Sequence, residues 1–198
     1  MRSKSALKTL APLLQAPSFT SREAAQLGIS AAILGYYLKS GDIERISRGI
    51  YRAINAPSVE DFRWEDLVFA VRKLKNGVVC LTSALALYEL TEEIPRQFWI
   101  AVENSTRHRA PSSTKVVRMR NLTLGKTEFK IGDIKIPIFD RERTIVDSFR
   151  YLSKETAIKA LKIAITQKGS KKIKLEKIRK YAKILRFKID PYILSVTT

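Results

Sequence analysis

The chain has 198 residues, with 37 Lys and Arg against 19 Asp and Glu, a formal net charge of +18. Its hydrophobic content of 45% and mean hydropathy of -0.13 exclude a globally disordered polycation, and a cation of this size favours polyanionic partners. One cysteine, Cys80, and one histidine, His108, exclude an intramolecular disulfide, a Cys-based zinc site and a His-rich metal centre; no metal or cofactor is expected.

The first sixteen residues, MRSKSALKTLAPLLQA, begin basic, as an export signal does, but Lys8 and Pro12 break the apolar stretch. They read instead as a helix over 4–15 with Leu7, Leu10 and Leu14 on one face and Pro12 as a flaw near its end. No run reaches the roughly 18 apolar residues of a membrane span, so no membrane partner is expected and the cytoplasm is the expected location. Thr20-Ser-Arg-Glu23 is a capping box that starts a short helix through Leu27, and Gly28 suits its stop. Ser30 caps a second helix to about Ser40, stopped by Gly41. Runs 42–46 and 50–53 then read as strands around a Ser47-Arg48-Gly49 turn.

Helix, short helix, turn, helix and hairpin is the order of a winged helix-turn-helix. On the second of the turn-linked helices, Ala31, Leu34 and Leu38 share one face, with Ala32, Gly35, Tyr36 and Lys39 opposite. Small, aromatic and basic groups suit close approach to a groove floor. The expected DNA contacts are therefore Ser30, Ala32, Tyr36 and Lys39 in the major groove and Arg45, Arg48 and Arg52 on phosphates, with Ser21 and Arg22 positioning the first helix.

Asn55-Ala-Pro-Ser58 reads as a hinge, giving a domain 1–56 with 8 basic and 3 acidic residues and a domain 57–198 with 29 and 16. In the second, Ser58 caps a helix to about Lys75 whose stripe is Phe62, Leu67, Val68, Val71 and Leu74. A short apolar run 78–81, a helix 84–90 capped by Thr82-Ser83, and strands 97–102, 115–119 and 134–139 follow. Helices at 141–152, 155–167 and 171–186 close the chain. The expected class is α+β: an N-terminal winged helix-turn-helix and a larger mixed domain ending in helices.

Few residues suggest catalysis. Glu128-Phe-Lys130 fits an E-x-K nuclease pattern, but residues 104–127 contain no acidic companion, and a solvated strand edge accounts for it better. Asp140 reads as an N-cap, with Arg143 and Asp147 as an i, i+4 pair. His108 lies in a basic, turn-rich loop and Cys80 in apolar core. The Lys-rich run 171–180 has one docking face (Leu175, Ile178, Ala182 and Leu185 over its helix) and one basic face, which suits nucleic acid, anionic lipid or plain solvation, the lipid disfavoured because the apolar stripe lacks Trp and Phe anchors.

The stretch Phe19–Arg52, with Gly28-Ile29-Ser30, Leu34/Leu38, Ser40-Gly41 and Arg48-Gly49-Ile50-Tyr51, resembles the N-terminal domain of AbiEi-type antitoxins, the regulator halves of abortive-infection toxin–antitoxin pairs. Thr82–Leu90 is similar to that family's Ser-Ala-Leu…Leu helix, and Glu142-Arg-Thr-Ile-Val-Asp147 to its E-R-T-x-x-D segment. The resemblance implies a phage-defence repressor that binds inverted repeats of its own promoter as double-stranded DNA. It further implies a C-terminal domain that counters a nucleotidyltransferase-like toxin, with Glu142, Arg143 and Asp147 assigned to antitoxicity, and no catalytic activity. In that family the antitoxin is generally described as opposing the toxin's effect without a stable direct complex. The recognition helix departs from a typical DNA reader in being poor in Arg. The alternative class is a metal-dependent nuclease with an appended winged helix, and RNA at the basic C-terminal surface is a further candidate partner.

Overall fold

Side-chain bonds to the backbone start and stop the early helices. In the computed structural model, which describes residues 2–16, 18–56, 64–74, 76–105 and 111–197, α1 (Arg2–Leu14) runs through Pro12. The carbonyl that Pro12 leaves without a donor is that of Lys8, an exposed residue, so water satisfies it at little cost. A two-residue strand, β1 (Phe19–Thr20), leads directly into α2 (Ser21–Gln26). The capping box is present: Glu23 N–H donates to Thr20 Oγ1 (3.2 Å) and Thr20 N–H to Glu23 Oε2 (2.6 Å). Such a cap stabilises by about 1 kcal/mol. Ser30 caps α3 (Ala31–Ser40), and Gly41 ends it at φ 77°, a left-handed conformation that glycine alone adopts without steric cost.

The hairpin is β2 (Ile43–Ser47) and β3 (Ile50–Ala53), and β1 adds to β3 to give a three-stranded antiparallel sheet in the order β1-β3-β2. Its register shifts at a bulge between Arg45 and Ser47, so that Glu44 faces Arg52 and Arg45 faces Tyr51. Leu10, Phe19, Ala24, Ile29, Leu34, Tyr37 and Ile43 form the core beneath it. This corrects one expectation: on α3 it is Tyr37 that is buried beside Leu34, whereas Ala31 is exposed. An aromatic ring buries several times the area of an alanine methyl, and the helix rotates to cover it.

The structure divides into two units, Met1–Lys73 with Ile131–Ile134, and Leu74–Lys130 with Lys135–Thr198. The hinge expected at 56/57 and this division differ by the segment holding α4 (Glu65–Lys73) and by Ile131–Ile134, both of which fall in the first unit. Two arginines tie α4 to the first unit: Arg52 Nη1 lies 2.7 Å from Glu65 Oε1, and Arg72 Nη1 donates to the Ser18 carbonyl. The expected Ser58 cap, Phe62 and Lys75 lie outside the described residues, as does His108.

The second unit carries a mixed sheet. Its strands are β4 (Val78–Val79), β5 (Phe98–Glu103), β6 (Thr114–Met119), β7 (Lys126–Ile131) and β8 (Ile134–Phe139), in the order β6-β5-β4-β8-β7. β4 runs antiparallel to β5 and parallel to β8, and β5 parallel to β6. Val78, Cys80, Leu81, Ala101, Met119, Leu122 and Phe139 form its core. Cys80 is fully buried and desolvation, followed by the Asp147 charge, pushes its thiol pKa well up, so it stays a neutral packing group.

Helix α5 (Leu81–Leu87) starts three residues before the expected position, with Cys80 rather than Thr82 or Ser83 as its cap. The Ser83 hydroxyl is engaged elsewhere, accepting from Trp99 N–H at 2.8 Å. Next come α6 (Arg141–Tyr151), α7 (Lys154–Thr166) and α8 (Leu175–Ile184), the last shorter than expected at both ends: Lys171 belongs to a 3-10 turn (Gly169–Lys171), and 172–174 and 185–186 lie outside the helix. On α8 the buried residues are Ile178, Tyr181 and Ala182; Leu175 and Leu185 are half-buried. An unexpected α9 (Asp190–Thr197) follows, with Pro191 in its first turn, where a missing N–H costs nothing. The class is mixed α+β, as expected.

Candidate nucleic-acid interface

The first unit exposes most of the expected contact residues. Ser30, Ala31, Ala32 and Lys39 are exposed on α3 and its cap, and Tyr36 is 55% exposed, held edge-on against Tyr37 with ring centroids 5.5 Å apart. A Cβ built on Gly35 meets nothing within 4 Å, so the middle of this face is a shallow gap. Ser21 and Arg22 are exposed at the start of α2.

The hairpin is fastened to that helix. Ser21 N–H donates to the Gly49 carbonyl at 2.9 Å, and a Cβ on Gly49, which has φ 81°, would lie 3.3 Å from Ser21 Oγ. The turn that presents Arg48 is thereby fixed to the first turn of α2. Arg45 and Arg48 are exposed. Arg52 is placed differently from the expectation. Its Nε donates to Glu44 Oε1 at 2.8 Å and its Nη1 to Glu65 Oε1 at 2.7 Å. The guanidinium is thus neutralised between two carboxylates, and the available cations of the hairpin are Arg45 and Arg48. The bulge causes this: without it Arg45 would stand opposite Arg52, a like-charge pair that the shifted register avoids.

The E-R-T-x-x-D segment lies elsewhere and faces inward. Arg143 is 1% exposed. Its Nε donates to Asp147 Oδ2 (2.6 Å), Nη1 to the Leu124 carbonyl (3.0 Å) and Nη2 to the Asn121 carbonyl (3.3 Å). The guanidinium also stacks 4.5 Å from the Phe139 ring centroid. Asp147 takes a second cation, Arg150, at 2.6 Å. Glu142 accepts Lys174 N–H at 3.0 Å and pairs with Lys177 at 3.2 Å. Asp140 caps α6, accepting Arg143 N–H at 2.8 Å and Tyr181 O–H at 2.9 Å, and pairs with Lys177 at 3.0 Å. Glu142, Arg143 and Asp147 therefore clamp α6 to α8 and to the loop before β7.

This clamp sets an alkaline limit. Burial lowers the Lys177 pKa, but Asp140 and Glu142 outweigh it and hold it above its ordinary value. Burial and the bond to Asp140 raise that of Tyr181. For Lys177 the stabilisation is complete below the unfolded pKa and is lost as pH rises through the folded one. Tyr181 acts in the same direction, because unfolding releases its proton above its ordinary pKa. Denaturant midpoints are expected to fall between about pH 9.5 and 11.5, the range of ordinary Tyr and Lys ionisation, less steeply in Lys177→Met. Equal slopes in both proteins would remove Lys177 from the account.

The nuclease pattern finds no support in geometry. Glu128 is exposed and pairs with Lys135 at 3.3 Å across neighbouring strands, and among the described residues no three His, Cys, Asp or Glu side chains gather into a metal-holding group. Among them, too, no helix is long and apolar enough to cross a membrane.

No curated protein matches the sequence. Among solved structures, the crystal structure of the RV2827C protein from Mycobacterium tuberculosis is similar over 92% of this chain and 72% of that one, with a TM-score of 0.55 at 12% identity. At that identity the likeness is one of fold. The sequence comparison is more specific and falls on the exposed surface just described: residues 10–54 match the model of the transcriptional-regulator family of AbiEi antitoxins, the family whose motifs this stretch resembles.

Proposed function

We propose that the chain is a cytoplasmic, DNA-binding transcriptional autorepressor and antitoxin without catalytic activity. In this reading the first unit is a winged helix-turn-helix. α3 enters the major groove of inverted repeats in the promoter, with Ser30, Ala32, Tyr36 and Lys39 at base edges. Arg45 and Arg48 on the wing hold phosphates, and Ser21 and Arg22 seat α2 on the backbone. The observation that carries the reading is the exposed low-relief face of α3 together with a turn, fixed to the start of α2, that presents Arg48, inside the segment that matches the AbiEi family. The second unit would counter a nucleotidyltransferase-like toxin of the same phage-defence operon. Glu142, Arg143 and Asp147 would serve that role by keeping the unit folded rather than by touching a partner.

Titrating the protein with its upstream DNA at several salt concentrations tests the wing. Arg48→Ala is expected to weaken binding to all duplexes and to lower the slope of log affinity against log salt by about one unit. An unchanged slope removes Arg48 from the phosphate contacts. Tyr36→Ala is expected to narrow the gap between operator and random duplex, and equal losses on both would show that Tyr36 does not read sequence.

A further inference from the structure

The second unit holds a cleft of about 470 Å³, and of the cations that line it only Arg143, paired with Asp147, has a part in the reading above. Its lining includes Arg118 and Arg120 at the end of β6, Arg150 and Tyr151 at the end of α6, and Arg186 just past α8. No carboxylate is among the lining residues. Arg150 is bound to Asp147, a buried residue already shared with Arg143, whereas among the described residues Arg118, Arg120 and Arg186 pair with no carboxylate. The C-terminal ends of α6 and α8 add only about half a negative charge each, so the cleft keeps a clear positive surplus. Arg186 has φ 55°, a conformation that glycine usually supplies at a helix end, and its N–H closes α8 on the Lys183 carbonyl at 3.2 Å. An arginine held there projects a long cation where a glycine would give none.

The cleft also offers a flat apolar surface. Tyr151 is 40% exposed, with the Arg150 guanidinium 5.1 Å from its ring centroid, and Ile184 is 48% exposed beside it. Guanidinium forks match phosphate oxygens, and an exposed phenol ring matches the face of an unstacked base. A concavity of this size takes one or two nucleotides, not a duplex whose bases are stacked inside. We propose that this cleft binds a single-stranded stretch of nucleic acid, its phosphates on Arg118, Arg120 and Arg186 and one base against Tyr151. The site shares no residue with the duplex-reading surface, and binding of duplex by the same protein serves as the internal control.

The test uses the full chain and labelled ten-nucleotide RNA and DNA strands of one unstructured sequence, followed by fluorescence anisotropy at physiological salt. Tyr151→Ala is expected to weaken single-strand binding by about five- to a hundredfold, and Arg120→Ala/Arg186→Ala to weaken it and flatten its salt dependence. Both should leave duplex affinity and the melting temperature unchanged, and Tyr151→Phe should retain parental affinity. Tighter RNA than DNA binding identifies RNA as the ligand; equal affinities identify any single strand, and both results uphold the site. A parent protein that binds neither strand overturns the proposal. So does a Tyr151→Ala variant that keeps full affinity, which would make the arginines a plain polyanion surface, or a Tyr151→Phe variant as weak as Tyr151→Ala. Loss of duplex binding in the parent would sink the repressor reading and leave this one standing.

Discussion

Arg143→Ala is expected to lower stability by about 3–5 kcal/mol, the usual cost of deleting one partner of a buried ion pair, and so to leave much of the protein unfolded at growth temperature. The substitution strands Asp147 with a single cation and removes the donors to the Leu124 and Asn121 carbonyls. It also takes away the ring contact with Phe139. Arg143→Lys keeps the charge but offers a point rather than a fork, so it is expected to recover only part of the loss. Urea unfolding read by far-UV circular dichroism measures both. Protection against the toxin should fall in step with the folded fraction. A variant that keeps its unfolding midpoint but loses protection would instead make this segment a contact for something outside the chain.

Gly35→Glu is expected to weaken operator binding by about a hundredfold or more, because like charges brought together at an interface cost several kcal/mol. The fold should survive: a Cβ at Gly35 meets nothing within 4 Å, so the new side chain projects freely. Gly35→Ala is the control and should stabilise α3 by about 0.5–1 kcal/mol through lost chain entropy in the unfolded state. Mobility-shift titration with thermal melting separates the two effects. Normal DNA binding by Gly35→Glu would show that the outward face of α3 does not approach a phosphate-lined groove.

What the sequence displays best is the set of helix boundaries that rest on bonds spanning three or four residues. Thr20 with Glu23, Ser30, Gly41 and Asp140 each do in the structure what their identity and spacing announce. Pairing over longer spans is another matter. β1 is two residues long, too short for any alternation, and exists because β3 offers it an edge. The bulge at Arg45–Ser47 shifts the hairpin register by one residue, and that shift alone converts Arg52 from a surface cation into a partner of Glu44 and Glu65. Composition gave no warning of it. The i, i+4 spacing of Arg143 and Asp147 was readable, but not that α8 covers the pair's neighbours Asp140 and Glu142. The basic cleft likewise gathers residues from β6, α6 and the end of α8, a convergence that only the packed chain creates.

Thr20 is at once the last residue of β1 and the cap of α2, and Ser21 beside it bonds the hairpin turn. No spacer separates sheet, cap and turn, so the segment works as a gauge block: strand register, not loop slack, sets how far the tip bearing Arg48 stands from the first turn of α2. One inserted residue between Phe19 and Ser21 would have to break either the Phe19–Tyr51 and Thr20–Ile50 pairing or the capping box. Length variation among relatives should therefore be absent here and be accommodated before Ser18 instead.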